Sequence, residues 1–305
     1  MKIIIAGGTG FIGSPLLDEL EKKQHEIVLL TKHPHAVSNL ENKFITLQRW
    51  DRKTVGEWAN HLNGADAIIN LCGENIAGNK WTKEQKEKLL HSRLDSTRAL
   101  VNAIKEAEPK PKTLINASAV GYYGNIEDEE IVDESHARGH GFLADVCESW
   151  ESIANEAKQY NVRVVLLRIG IVIEKSGGAL QKMLPPFQMF AGGPLGSGKQ
   201  WVPWIHRDDV IGAILFALEN ENISGPVNVT APNIVRNKDF CKALGKTIHR
   251  PSWAPVPSFA VKMLLGDMSE MVLTGQKAFP KKLKACGYKF KYENVEDALK
   301  AALEK

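Results

Sequence analysis

The sequence predicts an α/β fold, a doubly wound parallel sheet with a smaller C-terminal lobe on the substrate side. Three observations predict it. Strand and helix patterns alternate through residues 1–173. The strand segments are nearly continuous apolar runs, as in sheets covered on both faces. The first strand opens straight into glycines spaced G-x-x-G-x-x-G, followed by a helical pattern.

Taken in order, Ile3–Ala6 is a buried strand and Ser14–Lys23 a helix. Ile27–Thr31, Phe44–Gln48 and the largely apolar Ala67–Leu71 are the next three strands. Thr82–Ala107 has a long helical pattern, Thr113–Ala117 is a fifth strand, Phe142–Tyr160 a helix and Arg163–Ile173 one apolar strand. The character then changes. Gly177, Gly178, Pro185, Pro186, Gly192, Gly193 and Pro194 punctuate a loop-rich stretch, which could form a mobile cover over a pocket. A helix at Asp208–Asn220, a strand at Pro226–Val229 and a helix at Asn237–Ile248 follow, and the last 55 residues are helical with Pro and Gly breaks. Residues 1–173 therefore read as a dinucleotide-binding domain. Residues 174–305 read as a mixed C-terminal region forming the substrate-side lobe, with elements at about 204–230 returning to the main sheet.

A strand, a tight glycine turn and a helix N-terminus make the anion site of a Rossmann fold. The glycines let the backbone approach a pyrophosphate, while free N–H groups and the helix dipole point at it. Gly7, Thr9, Gly10, Phe11, Ile12 and Gly13 are the candidate cofactor residues of this turn. Ligands of such sheets lie beyond the carboxyl ends of the strands, which adds Leu71, Cys72 and Gly73 after the fourth strand. An acid ending the second strand normally binds the ribose hydroxyls of NAD. Here Thr31 is followed by Lys32, His33, Pro34 and His35, and a hydroxyl beside a cation suits the 2′-phosphate of NADP. Lys32 could equally be a solvated loop charge. Asp51, after the third strand, stands where an acid often meets the adenine amino group, or else caps its loop.

Composition excludes other classes. With 43% hydrophobic and 25% charged residues the chain should be globular. A net charge of +3 gives no case for nucleic acid or an anionic membrane as partner. Val256–Leu273 looks apolar, but Lys262, Asp267 and Glu270 interrupt it, so no membrane span is expected. The chain begins almost inside its first strand, so no leader is expected. Cys72, Cys147, Cys241 and Cys286 are far apart, reading as free thiols of a cytoplasmic protein. No metal site is expected, since the proline between His33 and His35 and the absence of a nearby carboxylate or cysteine argue against one.

The chain resembles the extended, atypical branch of the short-chain dehydrogenase/reductase superfamily, and within it the group labelled epimerase family proteins, or nucleoside-diphosphate-sugar epimerase-like. The resemblance is carried by Gly7–Gly13, Asn70–Ile76, Ser92–Thr97, Ser118–Gly124, Phe142–Cys147, Leu167–Val172, Gly192–Gly198 and Trp204–Asp209. The stretch from Pro280 to Gly287 is similar to the group's tail domain. The superfamily implies a Tyr-x-x-x-Lys pair on the helix after the fifth strand, which exchanges a proton as hydride moves. None of the five tyrosines here has a lysine four residues on. Matching Glu151 to that helix's usual acid puts Leu143 and Cys147 at the paired positions, and a slip of one turn gives His140 and Ala144. The usual serine falls on Ala119, next to Ser118, and the usual asparagine on Arg93.

Replacement chemistry is therefore sought among Tyr122, Tyr123, Ser118 and His206. Arg93 would hold an anionic group or form a helix-surface ion pair. Arg168, a charge within an apolar strand, needs a ligand or a buried partner. Cys147 reads as inert packing. Two functions follow. The first is an NADP(H)-dependent oxidoreductase or epimerase-like enzyme acting on a small molecule, with phosphorylated compounds and sugar nucleotides among the candidates. The second is a non-catalytic NADP-binding regulatory or scaffold protein, in keeping with the cell-division label of some relatives.

Overall fold

Seven parallel strands form the central sheet: β1 (Lys2–Ala6), β2 (Glu26–Thr31), β3 (Ile45–Arg49), β4 (Ala67–Asn70), β5 (Thr113–Ala119), β6 (Arg163–Ile169) and β7 (Gly225–Val229), in the order β7-β6-β5-β4-β1-β2-β3. The structure is a computed structural model and describes residues 1–126 and 128–304. The apolar runs become strands because both faces are covered. Ile3, Ile5, Leu29, Ile115 and Val165 face one core with α1 (Gly13–Lys22) and α5 (Arg207–Glu219). Ile4, Val28, Ile68, Leu114 and Val164 face the other, which is filled by α2 (Lys83–Glu106) and α3 (Phe142–Asn155). Alternate residues of each strand thus serve opposite layers. Strand order reverses between β1 and β4, which opens the crevice in which such sheets bind ligands.

The predicted strand Arg163–Ile173 is two strands. It breaks at Gly170, where a Cβ would lie 2.1 Å from the Pro203 carbonyl oxygen. Beyond the break, Ile171–Ile173 leaves the sheet and pairs in parallel with Trp204–His206. The helix predicted to Tyr160 tightens into a 3₁₀ turn after Asn155. Pro185 and Pro186, read as loop punctuation, lie inside α4 (Gly178–Gln188).

A second core joins α4, α6 (Asn237–Thr247) and α10 (Val295–Glu304) through Leu184, Phe187, Phe240, Leu244 and Leu299. Between them run α7 (Ser258–Leu265), α8 (Glu270–Leu273) and α9 (Lys281–Ala285). The tail is tied to the main sheet by hydrogen bonds. Asn228 of β7 donates to the Phe279 carbonyl at 2.9 Å, and Thr230 donates to that of Ala278 at 2.6 Å. The buried Asp209 carboxylate accepts from the Lys291 and Tyr292 amides at 2.7 and 3.0 Å. Among the described residues no helix is long and apolar enough to cross a membrane.

Candidate functional site

Four glycines shape the turn between β1 and α1, and they do different things. Gly7 has φ +82°, and a Cβ there would lie 2.7 Å from the Leu71 carbonyl carbon. Gly8 lies against Leu29 of β2, and Gly13 against the Gly7 carbonyl, where a Cβ would come within 2.3 Å. These three let the turn fold onto its own strands. Gly10 differs: a Cβ would meet only the Gly7 carbonyl oxygen, at 3.2 Å, so its exposed face leaves bare backbone. Gly10 itself donates to Gly7, and Ser14 to Gly10, whereas the Phe11 and Ile12 amides donate no hydrogen bond among the described residues. Bare backbone with available N–H groups at a helix N-terminus fits a pyrophosphate.

Leu71, Cys72 and Gly73 form the wall opposite this turn, and the Leu71 amide donates to Ala6 at 2.8 Å. Cys72 is buried, its thiol pushed up to about 11 by that burial, and the charges of Arg52 and Lys32 act on it. Lys32 directly follows β2, and Arg52 follows β3, its neighbour in the sheet. The sequence reading had Lys32 but missed Arg52, which stands at φ +71° just after Asp51. Thr31 accepts from the His33 amide at 3.3 Å. Asp51 takes the capping alternative. Its carboxylate accepts from the Thr54 and Lys53 amides and from the Thr54 hydroxyl, which hold it at about 2. The Phe11 ring packs on Gly177, where a Cβ would touch it at 2.8 Å. The stretch expected as a mobile cover packs closely at several points. Gly177 and Gly178 start α4 against Phe11, Gly192 lies on the Phe187 ring, and Gly193 lies on the Ala254 backbone.

At the carboxyl ends of the next strands the register puts Ser118, Arg168 and Asn228 side by side across β5, β6 and β7. Residues in register share a face, so one buried polar chain results. Arg168 donates twice to Glu151 of α3, at 2.9 and 2.8 Å, and once to the Tyr123 hydroxyl at 2.9 Å. Ser118 donates to Glu151 at 2.7 Å, and Tyr123 to Asn228 at 2.7 Å. Burial opposes the charge on Arg168, but Glu151 and Tyr123 outweigh it and hold its pKa up. Burial pushes the Tyr123 phenol up to about 12. The geometry thus links Arg168, Ser118 and Tyr123 to Glu151 and Asn228 in one internal hydrogen-bonded scaffold. His206 is fully buried too. It accepts from the Asp208 amide at 3.1 Å as the cap of α5 and stacks on Tyr292 at 4.2 Å.

Two candidates keep a different character. Tyr122 is partly exposed, its ring lies 3.5 Å from the Arg168 guanidinium, and its hydroxyl makes no hydrogen bond among the described residues. Arg93 reaches from α2 to the underside of Gly73, donating to the Leu89 and Glu74 carbonyls at 2.8 and 3.2 Å, with no carboxylate within ion-pair distance among the described residues. Burial lowers its pKa, and Cys147 is among the groups acting on it. On α3, Leu143 and Cys147 both face Gly121, at 3.2 and 3.9 Å from where a Cβ would sit. Of the four positions the missing pair could occupy, His140 alone lies outside the helix. Burial first, and then Glu151, push the Cys147 thiol to about 11.

The NAD dependent epimerase/dehydratase family model matches residues 3–230. Among curated proteins, the chain is 43% identical to the "Epimerase family protein SDR39U1 homolog, chloroplastic" of Arabidopsis thaliana over all of this chain and 87% of that one. It is 40% identical to an epimerase family protein of Staphylococcus aureus, with 99% of each covered. The human epimerase family protein SDR39U1, solved with NADPH, superposes with a TM-score of 0.87 at 32% identity, with 100% of each chain covered. The UDP-glucuronic acid 4-epimerase of Bacillus cereus, solved with UDP-glucuronic acid and NAD, shares the fold at a TM-score of 0.79 and 20% identity, covering 100% and 98%. The chain therefore belongs to the NAD dependent epimerase/dehydratase family, as an epimerase family protein whose residues 256–302 match a domain of unknown function, DUF1731.

Proposed function

We propose that the protein is an NADP(H)-dependent oxidoreductase of a small molecule, with its proton partner outside α3. The observation that carries this reading is the Gly10 turn, where a Cβ would meet only the Gly7 carbonyl oxygen within 4 Å, so the exposed face is bare backbone. Its N–H groups at Phe11 and Ile12 would hold the pyrophosphate. Lys32 and Arg52, the two cations acting on Cys72, would hold the 2′-phosphate. When bound, NADPH supplies or accepts hydride at the nicotinamide C4. Arg93, beneath Gly73, would place positive charge near Cys147, where the missing lysine's cation would otherwise stand. Tyr122 would exchange the proton, since its hydroxyl is the one in the Tyr122–Tyr123 pair not held by the internal scaffold.

A second reading, cofactor binding without turnover, is favoured by one feature. The Tyr123 and Ser118 hydroxyls and the Nδ1 of His206 are all engaged inside the protein.

The test combines calorimetric titration with NADPH and an absorbance assay over a panel of carbonyl compounds. Wild type should bind NADPH, and Gly10→Val should lose binding at unchanged melting temperature. Unchanged affinity in Gly10→Val would refute the cofactor site. Binding with no turnover of any panel member would support the second reading.

A further inference from the structure

On the carboxyl side of the sheet, a cavity of about 360 Å³ lies between α4, α6 and the segment joining α7 to α8. Its wall includes Ile171, just past β6, Met183 and Phe187 of α4, Phe240 of α6, and Met268 and Met271 of the tail. Its size is that of a small-molecule site, but its chemistry is not that of a sugar site. The wall is overwhelmingly apolar, and each of its polar side chains is already hydrogen-bonded within the protein. Gln200 donates to the Leu195 and Val272 carbonyls at 3.0 and 2.8 Å. Asn237 accepts from the Leu195 amide at 2.9 Å, Thr274 donates to Glu270 at 2.7 Å, and Lys182 donates to the Ala77 carbonyl. A sugar placed here would meet few polar partners for its hydroxyls, and each one left unpaired carries a desolvation cost. Three methionines, Met183, Met268 and Met271, give the wall adaptable, polarizable surface instead.

We propose that this cavity takes an unbranched alkyl portion of the substrate, so that the molecule reduced or oxidised is a hydrocarbon-chain compound and not a sugar nucleotide. The proposal rests on the functional reading above for the site's identity, though the cavity itself is independent of it.

Calorimetric titration with 1-alkanols from butanol to decanol, with and without NADPH, tests this. Affinity should rise about four-fold per added methylene until the cavity is filled. UDP-glucose should neither bind nor compete. Ala179→Trp, which fills the cavity, and Met271→Lys, which charges its wall, should each weaken octanol binding at least ten-fold with NADPH affinity unchanged. Absence of a chain-length trend, octanol binding unaffected in both folded variants, or competition by UDP-glucose would overturn the proposal. Failure of NADPH to bind wild type would instead strike the functional reading and leave the alkanol result to stand alone.

Discussion

Arg168 and Glu151 form a two-point ion pair, Nε to Oε1 at 2.9 Å and Nη2 to Oε2 at 2.8 Å, with their side chains only 4% and 7% exposed. It joins β6 to α3, the helix on which the superfamily's reacting pair is expected. Removing one partner strands a buried charge, which costs about 3–5 kcal/mol, while removing both together costs far less. Arg168→Met and Glu151→Gln should each lower stability by about that amount in urea unfolding, and the double variant should recover much of the loss. Additive losses would show that the two residues do not act as a pair.

Cofactor choice should follow Lys32 and Arg52. Neither has a carboxylate partner among the described residues, and both act electrostatically on Cys72 beside the glycine turn. A charge-assisted contact contributes about 1.5–3 kcal/mol. NADPH should therefore bind more tightly than NADH, and the gap should narrow in Lys32→Ala and again in Lys32→Ala/Arg52→Ala. Equal wild-type affinities for the two cofactors, measured by calorimetry, would refute this assignment.

The tail's attachment should loosen in acid. Asp133 accepts from Lys281 of α9 at 2.6 Å and from the Ser135 hydroxyl and amide. Lys281 is the main reason its carboxyl falls from 3.8 to about 2. A carboxyl depressed in the folded state contributes stability that is full above the unfolded value and fades as pH falls through the folded one. Amide exchange in residues 277–288 should accordingly speed up between pH 4 and 2, beyond the intrinsic pH effect, and Asp133→Asn should remove that added change. The shift will be small, because Lys281 is largely exposed.

The sheet was legible because its information is local. Apolar runs such as Ile3–Ala6 and glycines at a strand end speak for themselves, and six strands and the helices predicted at Ser14, Thr82, Asp208 and Asn237 stand within a residue or two of their predicted ends, whereas the helix predicted to Tyr160 ends at Asn155. The break at Gly170 was not legible, because its cause is a carbonyl at Pro203, distant in sequence. Asp51 could be narrowed to two roles but not to one, since only the folded turn shows Thr54 and Lys53 closing on its carboxylate. Arg168 likewise demanded a partner, and the sequence could not name Glu151 because strand register and helix packing bring them together. Arg52 escaped altogether. A lone arginine in a loop has no periodicity to mark it, and it comes near the strand that Lys32 follows only through the pairing of β2 with β3.

The two adjacent tyrosines should separate cleanly. Tyr123 is 1% exposed, donates to Asn228 and accepts from Arg168, so Tyr123→Phe leaves two buried groups without a partner and should cost about 1–3 kcal/mol of stability. Tyr122 has only its ring engaged, against Arg168, so Tyr122→Phe should keep stability and NADPH affinity. If Tyr122 passes the proton, kcat in Tyr122→Phe should fall by about 10²–10⁴-fold on any substrate the wild type turns over. Cys147→Ser is the control. A thiol pushed to about 11 is protonated at neutral pH, and its loss should change neither NADPH affinity nor rate by more than a small factor. Full activity in Tyr122→Phe with loss in Cys147→Ser would move the chemistry back to α3 and onto the thiol.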